Sequence, residues 1–273
     1  MKDIDDTKAP LLDHLIELRR RLLWSIAALL VGFIVAFTQA KHIFAFLAQP
    51  LVRAYGGNGG TIIYTKLYEA FFVEIKVAVF AAFLIAFPVI ANQLWAFVAP
   101  GLYRKEKNAL LPFLFATPIL FTAGAALAYY VVMPTAFRFF LSFQNIGIGE
   151  GFKQEALPAM GDYLSLVMHF IFAFGISFLL PVLLMLLERA GIVTRAQLVA
   201  GRRYAIVAAF VVAAVLTPPD VLSQLMLAIP LMILYELSLI GIWFTERSRA
   251  REAAAEPATE SLTHEADPPR PVA

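Results

Sequence analysis

Two stretches of the chain each hold a single carboxylate in a basic neighbourhood. In "HLIELRRRLL" Glu17 precedes Arg19, Arg20 and Arg21, and in "APGLYRKEKNAL" Glu106 stands among Arg104, Lys105 and Lys107. Neighbouring cations favour the charged form of a carboxyl group, so both acids stay ionised. Two such acids on one membrane face could together accept a ligand carrying two guanidinium groups, through charge-assisted and partly bidentate hydrogen bonds. Spacing alone supports a plainer reading too. Glu17 lies three and four residues from Arg20 and Arg21, the helical neighbours, and an exposed pair of that kind contributes about 0.2–0.5 kcal/mol.

The elements that must position these acids follow from composition. Of 273 residues 60% are hydrophobic and 15% charged, and mean hydropathy is +0.76, outside the balance of a soluble domain. The apolar residues fall in uncharged runs long enough to cross a hydrocarbon layer of roughly 30 Å, which needs about 20 helical residues. The runs predict an all-α polytopic membrane protein of six transmembrane helices, with spans at 22–40, 77–100, 108–132, 163–187, 204–216 and 221–240. The fifth is short: thirteen residues reach only about 20 Å. Pro218 and Pro219 in "TPPD" force a tight turn after it, so the last pair reads as a short hairpin that crosses by thinning the bilayer, or as a re-entrant one.

Ahead of the first span, Leu11, Leu15, Leu18 and Leu22 form one helical stripe, so residues 1–21 read as a cytoplasmic segment carrying an interfacial amphipathic helix. Residues 22–244 are the transmembrane domain. The tail 245–273, rich in Ala, Glu and Pro, is expected to be disordered.

Charge placement orients the chain. Of 22 Lys and Arg, only Lys41, Arg53, Lys66, Lys76, Arg138 and Lys153 fall on the side opposite the termini. By the positive-inside rule both termini are cytoplasmic. The outer connections 41–76 and 138–162 are expected to form short helices over the outer face. Pro88, Pro112, Pro118, Pro134, Pro181 and Pro230 lie within spans, where each removes a backbone donor and tends to bend its helix, which yields a concave scaffold. His169, alone among titratable groups in the fourth span, reads as a packed helix contact. Glu236 reads as a boundary residue that snorkels or pairs with an arginine, and Glu69 and Glu74 as solvated or partner-facing.

The chain has no cysteine, which excludes disulfides, thiolate metal sites and cysteine nucleophiles. Its N-terminus lacks the basic and apolar regions of a removable signal peptide. There is no HExxH, phosphate loop or GxSxG, so no enzyme and no cofactor are expected. A proton-coupled secondary transporter of a small cationic solute is the alternative reading. It would want mid-membrane charges and paired broken helices, and the sequence has few such charges and no internal repeat.

"HLIELRRRL", "QLWAFVAPGLYRKEK", "YLSLVMHFIFAFGISF" and "AFVVAAVLTPPDVLSQLMLAIPLMILYE" resemble the C subunit of the twin-arginine protein translocase, the TatC family, over roughly residues 11–244. The resemblance implies a cup-like six-helix bundle with both termini cytoplasmic, in a bacterial inner (cytoplasmic) membrane. It implies a receptor for the paired arginines of signal peptides on folded precursor proteins. Implied partners are TatA- and TatB-like single-span subunits, the lipid bilayer and further copies of the chain within a larger complex, with no nucleic acid, for export driven by the proton-motive force. Carried over residue by residue, Glu17 and Glu106 are the signal-binding acids, and Arg19, Phe97, Tyr103 and Arg104 flank them. Pro50, Gln93, Pro181, Asp220 and Gln224 take partner or structural roles. In "FGISFLLPV" the family usually has an acid where this chain has Leu179. Glu188, nine residues on and about 13 Å along the helix, does not replace it, so Gln93, His169 or Gln224 are expected to supply polarity.

Overall fold

The computed structural model describes residues 8–56, 61–102, 111–144, 156–218 and 220–265. Helix α1 spans Lys8–Thr38, α2 Ala40–Ala54, α3 Glu69–Leu102 and α4 Leu111–Leu127, which runs through a π-helical turn, Ala128–Val132, into α5 (Met133–Leu141). Then follow α6 (Met160–Ser177), α7 (Leu180–Arg189), α8 (Arg195–Ala200), α9 (Arg202–Leu216) and α10 (Val221–Glu265). The described residues contain no strand, only an isolated bridge between Ile63 and Ala159. Five segments among them have the length and apolarity to cross a membrane: His14–Thr38, Glu69–Phe97, Phe113–Leu141, Met160–Arg189 and Val221–Ser248. Helix α9, with 15 residues, reaches only about 22 Å.

Several boundaries differ from the sequence-based expectation. Helix α1 is continuous from Lys8 through the first span. The second span starts as a helix at Glu69, not 77, since "EAFFVEIK" continues the apolar pattern and carries no helix breaker. The tail was expected to lose structure at 245, but α10 is helical to Glu265. There "REAAAE" is built from strong helix formers, so local propensity extends the helix past its apolar face. Of the outer segment 138–162, the described parts are the end of α5, a turn and an extended stretch at 156–159, with no separate helix.

Helices α1 and α3 pack along much of their length on a seam of small side chains. Ala36, Ala78, Ala81 and Ala82 are buried, and a Cβ on Gly32 would stand 3.1 Å from the Ala82 carbonyl oxygen. Small residues at four-residue spacing let membrane helices approach closely. The other sides of α1 carry exposed Leu30, Val31, Ile34 and Val35, apolar surface of the kind a hydrocarbon solvent accepts.

Prolines mark the breaks selectively. Pro88 and Pro230 sit inside continuous helices, whereas Pro134 and Pro181 occupy the first turns of α5 and α7. A missing N–H costs little at Pro181, which opens a new helix after a break, whereas Pro134 follows the π-helical turn within a helix that runs on through it. The chain consequently breaks at Phe178 and Leu179, between α6 and α7. Around the upper part of this segment α4 and α6 touch through Gly124 and Phe174, and through Gly175 and Phe121. Phe87 stacks on Phe121 with centroids 3.9 Å apart.

The last two apolar helices form an antiparallel hairpin. Near the turn Gln224 Nε2 donates to the Phe210 carbonyl at 3.3 Å, and far from it Arg202 Nη2 donates to Glu236 Oε2 at 2.8 Å. Asp220 Oδ1 accepts the Ser223 N–H at 2.7 Å, capping α10. At the opposite end of the bundle the two outer connections are stitched together: Ile63 N–H donates to Pro158, Met160 N–H to Ile63, and Tyr55 Oη to Ala156.

Candidate functional site

Glu17 and the end of α3 meet at one end of the bundle. Helix α1 carries His14 one turn before Glu17, and His14 stacks on Phe97 of α3 with ring centroids 4.3 Å apart and planes inclined by 20°. Glu17, half-buried, accepts from Arg21: Nε donates to Oε1 at 3.0 Å and Nη2 donates to the same oxygen. Of the two helical neighbours open to Glu17, Arg21 is the one it takes. Both donors go to Oε1, so this pair does not use Oε2. Arg19 is exposed on the same helix. Tyr103, Arg104 and Glu106 lie outside the described residues.

The carboxylate therefore stands half-desolvated beside an aromatic stack, with a guanidinium fixing its orientation. Chemically that is an acceptor for a further guanidinium or ammonium group. Among the described residues no group of three or more His, Asp or Glu could hold a metal ion.

The residues expected in partner or structural roles are spread over the bundle. Pro50 is buried inside α2, Gln93 is half-exposed on α3, and Pro181 opens α7. Asp220 and Gln224 hold the final hairpin as described, and Asp220 Oδ2 is buried without a hydrogen-bond partner. Glu236 is paired with Arg202, as its boundary position suggested. His169 departs from expectation: it is exposed, has no hydrogen-bond partner among the described residues, and lines a groove with Ser165, Met168, Phe172 and Leu216. A helix-packing histidine needs a facing neighbour, and among the described residues this face opens on the groove. Leu179 packs against the Phe87, Ala91 and Phe121 cluster, so the position where the resemblance implies an acid is here part of an apolar wall.

Sequence reading missed three residues that position these elements. Tyr129, in the π-helical turn, donates to the Phe46 carbonyl at 2.6 Å, and Tyr163 donates to the neighbouring Leu47 carbonyl at 2.7 Å. Glu69, assigned to solvent or a partner, instead gathers Gly161 N–H at 2.8 Å on one oxygen and Thr65 N–H at 2.8 Å with Lys66 N–H at 3.3 Å on the other. It ties the first outer connection to the start of α6. For Tyr129 the available signal was Pro50, whose helical context leaves the Phe46 carbonyl, one turn earlier, in need of a donor.

Comparison with known proteins gives a consistent answer. The family model described as Sec-independent protein translocase protein (TatC) matches residues 13–230. The Magnetococcus marinus Sec-independent protein translocase protein TatC is 52% identical over 262 residues, 96% of this chain and 94% of that one. The Escherichia coli protein of the same name is 40% identical over 242 residues, covering 89% and 90%. A solved structure, described as a crystal structure of the twin-arginine translocase receptor TatC in DDM, superposes with TM-score 0.70 at 40% identity, covering 83% of this chain and 98% of that one. With its several apolar spanning helices, the chain belongs to the TatC family, multi-pass membrane components of the Sec-independent protein translocase that transport proteins and are not enzymes.

Proposed function

We propose that this protein is the signal-peptide receptor and core subunit of a twin-arginine translocase. Glu17 and Glu106 accept the paired arginines of signal peptides on folded precursors, with Arg19, Phe97, Tyr103 and Arg104 shaping the patch. The observation that carries this reading is the Glu17 carboxylate, which already holds one guanidinium through two donors on Oε1 and has Oε2 left over from that pair. A solved relative that is itself described as a twin-arginine translocase receptor supports the same reading.

In this proposal the chain crosses a bacterial inner membrane six times, with both termini cytoplasmic, α9 as a short fifth crossing and the long α10 as the last. Residues 1–21 precede the transmembrane domain, 22–244, and 245–273 form the cytoplasmic tail. TatA- and TatB-like single-span subunits assemble on it, with further copies of the chain, for transport driven by the proton-motive force. Pro50, Gln93, Pro181, Asp220 and Gln224 serve those contacts or the scaffold beneath them.

The test is binding of a fluorescent twin-arginine signal peptide, and its twin-lysine counterpart, to the protein in nanodiscs. Wild type is expected to prefer arginine, because a planar fork pairs with a carboxylate better than a point charge does. Glu17→Ala and Glu106→Ala are each expected to abolish that preference. Equal binding of both peptides, or binding indifferent to both substitutions, would overturn the proposal.

A further inference from the structure

Two polar atoms at the start of α10 are buried without a hydrogen-bond partner, Asp220 Oδ2 and Ser223 Oγ. Ser223 is fully buried. The two residues are already joined, since Asp220 Oδ1 accepts the Ser223 N–H at 2.7 Å. That bond uses the first carboxylate oxygen to cap the helix and leaves the second without a donor.

The turn that leads into α10 is rich in acceptors and poor in donors. Thr217 N–H and Thr217 Oγ1 both donate to the Ala213 carbonyl, at 2.9 and 2.8 Å. Pro218 and Pro219 have no N–H, so the Ala214 and Val215 carbonyls, four residues earlier, have no helical donor. Asp220 N–H turns back to the Pro218 carbonyl at 2.7 Å and does not serve the end of α9. Carbonyls at the end of α9, Thr217 Oγ1, Asp220 Oδ2 and Ser223 Oγ therefore flank one turn, and of these atoms only Ser223 Oγ has a hydrogen left to give.

We infer that this turn binds a monovalent cation, sodium or one of similar size, with Asp220 Oδ2 as the anionic ligand. Ser223 Oγ, Thr217 Oγ1 and carbonyl oxygens at the end of α9 are the neutral ligands. The atoms on offer select the ion. Hard cations take oxygen ligands, and in membrane transport proteins sodium is held where backbone unwinds between helices and the carbonyl end of one of them faces the gap. One carboxylate balances one positive charge, whereas tight divalent sites gather several. No cluster of acidic side chains is needed. An anion is excluded by the carboxylate itself. Asp220 is only half-buried as a residue, so the site is reached from the side of the turn. The inference uses none of the residues placed in signal-peptide recognition.

The test is thermal unfolding of the full chain in neutral detergent micelles, in sodium chloride and in choline chloride at equal ionic strength. Sodium is expected to raise the melting temperature by roughly 3–5 °C for each tenfold increase, the linkage of one site on the folded state. Choline, too large for the turn, is expected to leave it unchanged. Asp220→Asn keeps the cap, because asparagine serves that position as well as aspartate, but it removes the anionic ligand and is expected to abolish the sodium response. Ser223→Ala is expected to move the response to higher sodium. Glu246→Gln, which removes a carboxylate far along α10, is expected to keep it. Equal melting in both salts, the result for a turn filled by water alone, or a sodium response that survives Asp220→Asn, would each overturn the inference.

Discussion

Tyr129 gives its hydroxyl hydrogen to the carbonyl oxygen of Phe46, 83 residues away in sequence and 2.6 Å away in space. That carbonyl is the one Pro50 leaves without a helical donor, because a residue's amide normally serves the carbonyl four positions earlier and proline has no N–H. Leaving a desolvated acceptor unsatisfied costs about 1–3 kcal/mol, and this one is partly buried. Tyr129→Phe should therefore lower the unfolding free energy in nanodiscs by about that amount. In a Pro50→Ala background the amide at position 50 takes over, and the same substitution should cost markedly less. Equal costs in both backgrounds would remove the assignment.

Gly124 and Gly241 predict opposite outcomes for the same substitution. A Cβ at Gly124 would lie 2.4 Å from the Phe174 carbonyl oxygen, so Gly124→Ala must push α4 from α6. The expected loss is about 1–3 kcal/mol. At Gly241 the nearest atom is Met185 Sδ at 3.4 Å, an ordinary contact. Gly241→Ala should be neutral or stabilising, since alanine is favoured over glycine in a helix by about 1 kcal/mol. Thermal unfolding of the two variants beside wild type checks the contrast.

The His14–Phe97 stack joins the helix bearing Glu17 to the end of α3. His14→Ala and Phe97→Ala should each weaken twin-arginine peptide binding, and together by less than their sum, with a coupling of about 0.5–1.5 kcal/mol. Strict additivity in this double-mutant cycle would mean that the rings do not act as one unit.

Leu179→Glu supplies the acid that the family resemblance implies and sets it in an apolar wall. At a helix centre in a bilayer such a group costs roughly 2.5–3.5 kcal/mol. The position borders a groove between α7 and α9 as well as the Phe87 cluster, so the carboxyl has an opening to turn toward, and the protein should still fold. Its yield on co-purification with single-span partner subunits should change, while Leu179→Met, which conserves volume, should leave it alone. An unchanged yield for Leu179→Glu would contradict the prediction.

Contacts between near neighbours in the chain were legible in advance. Run length and hydropathy were enough for the five long spans and the short α9, since crossing a bilayer constrains each segment by itself. Helical periodicity was enough to pair Glu17 with an arginine three or four residues on, and charge at a span boundary to pair Glu236. Motif order was enough for the family. Where a spacing allows two partners, as with Arg20 and Arg21, it leaves the choice to packing.

Tertiary structure alone decided which side chains from distant elements meet. Tyr129 with Phe46, Glu69 with Gly161 and His14 with Phe97 join residues on different helices or connections, and no periodicity links them. It also decided that His169 faces an open groove and not a neighbour, and that α7 and α9 stand apart. The physical reason is range. Hydropathy and helix propensity act within a segment, so the chain's local order carries them. The donor that satisfies an orphaned carbonyl, or the void left between two helices, exists only once the helices have packed.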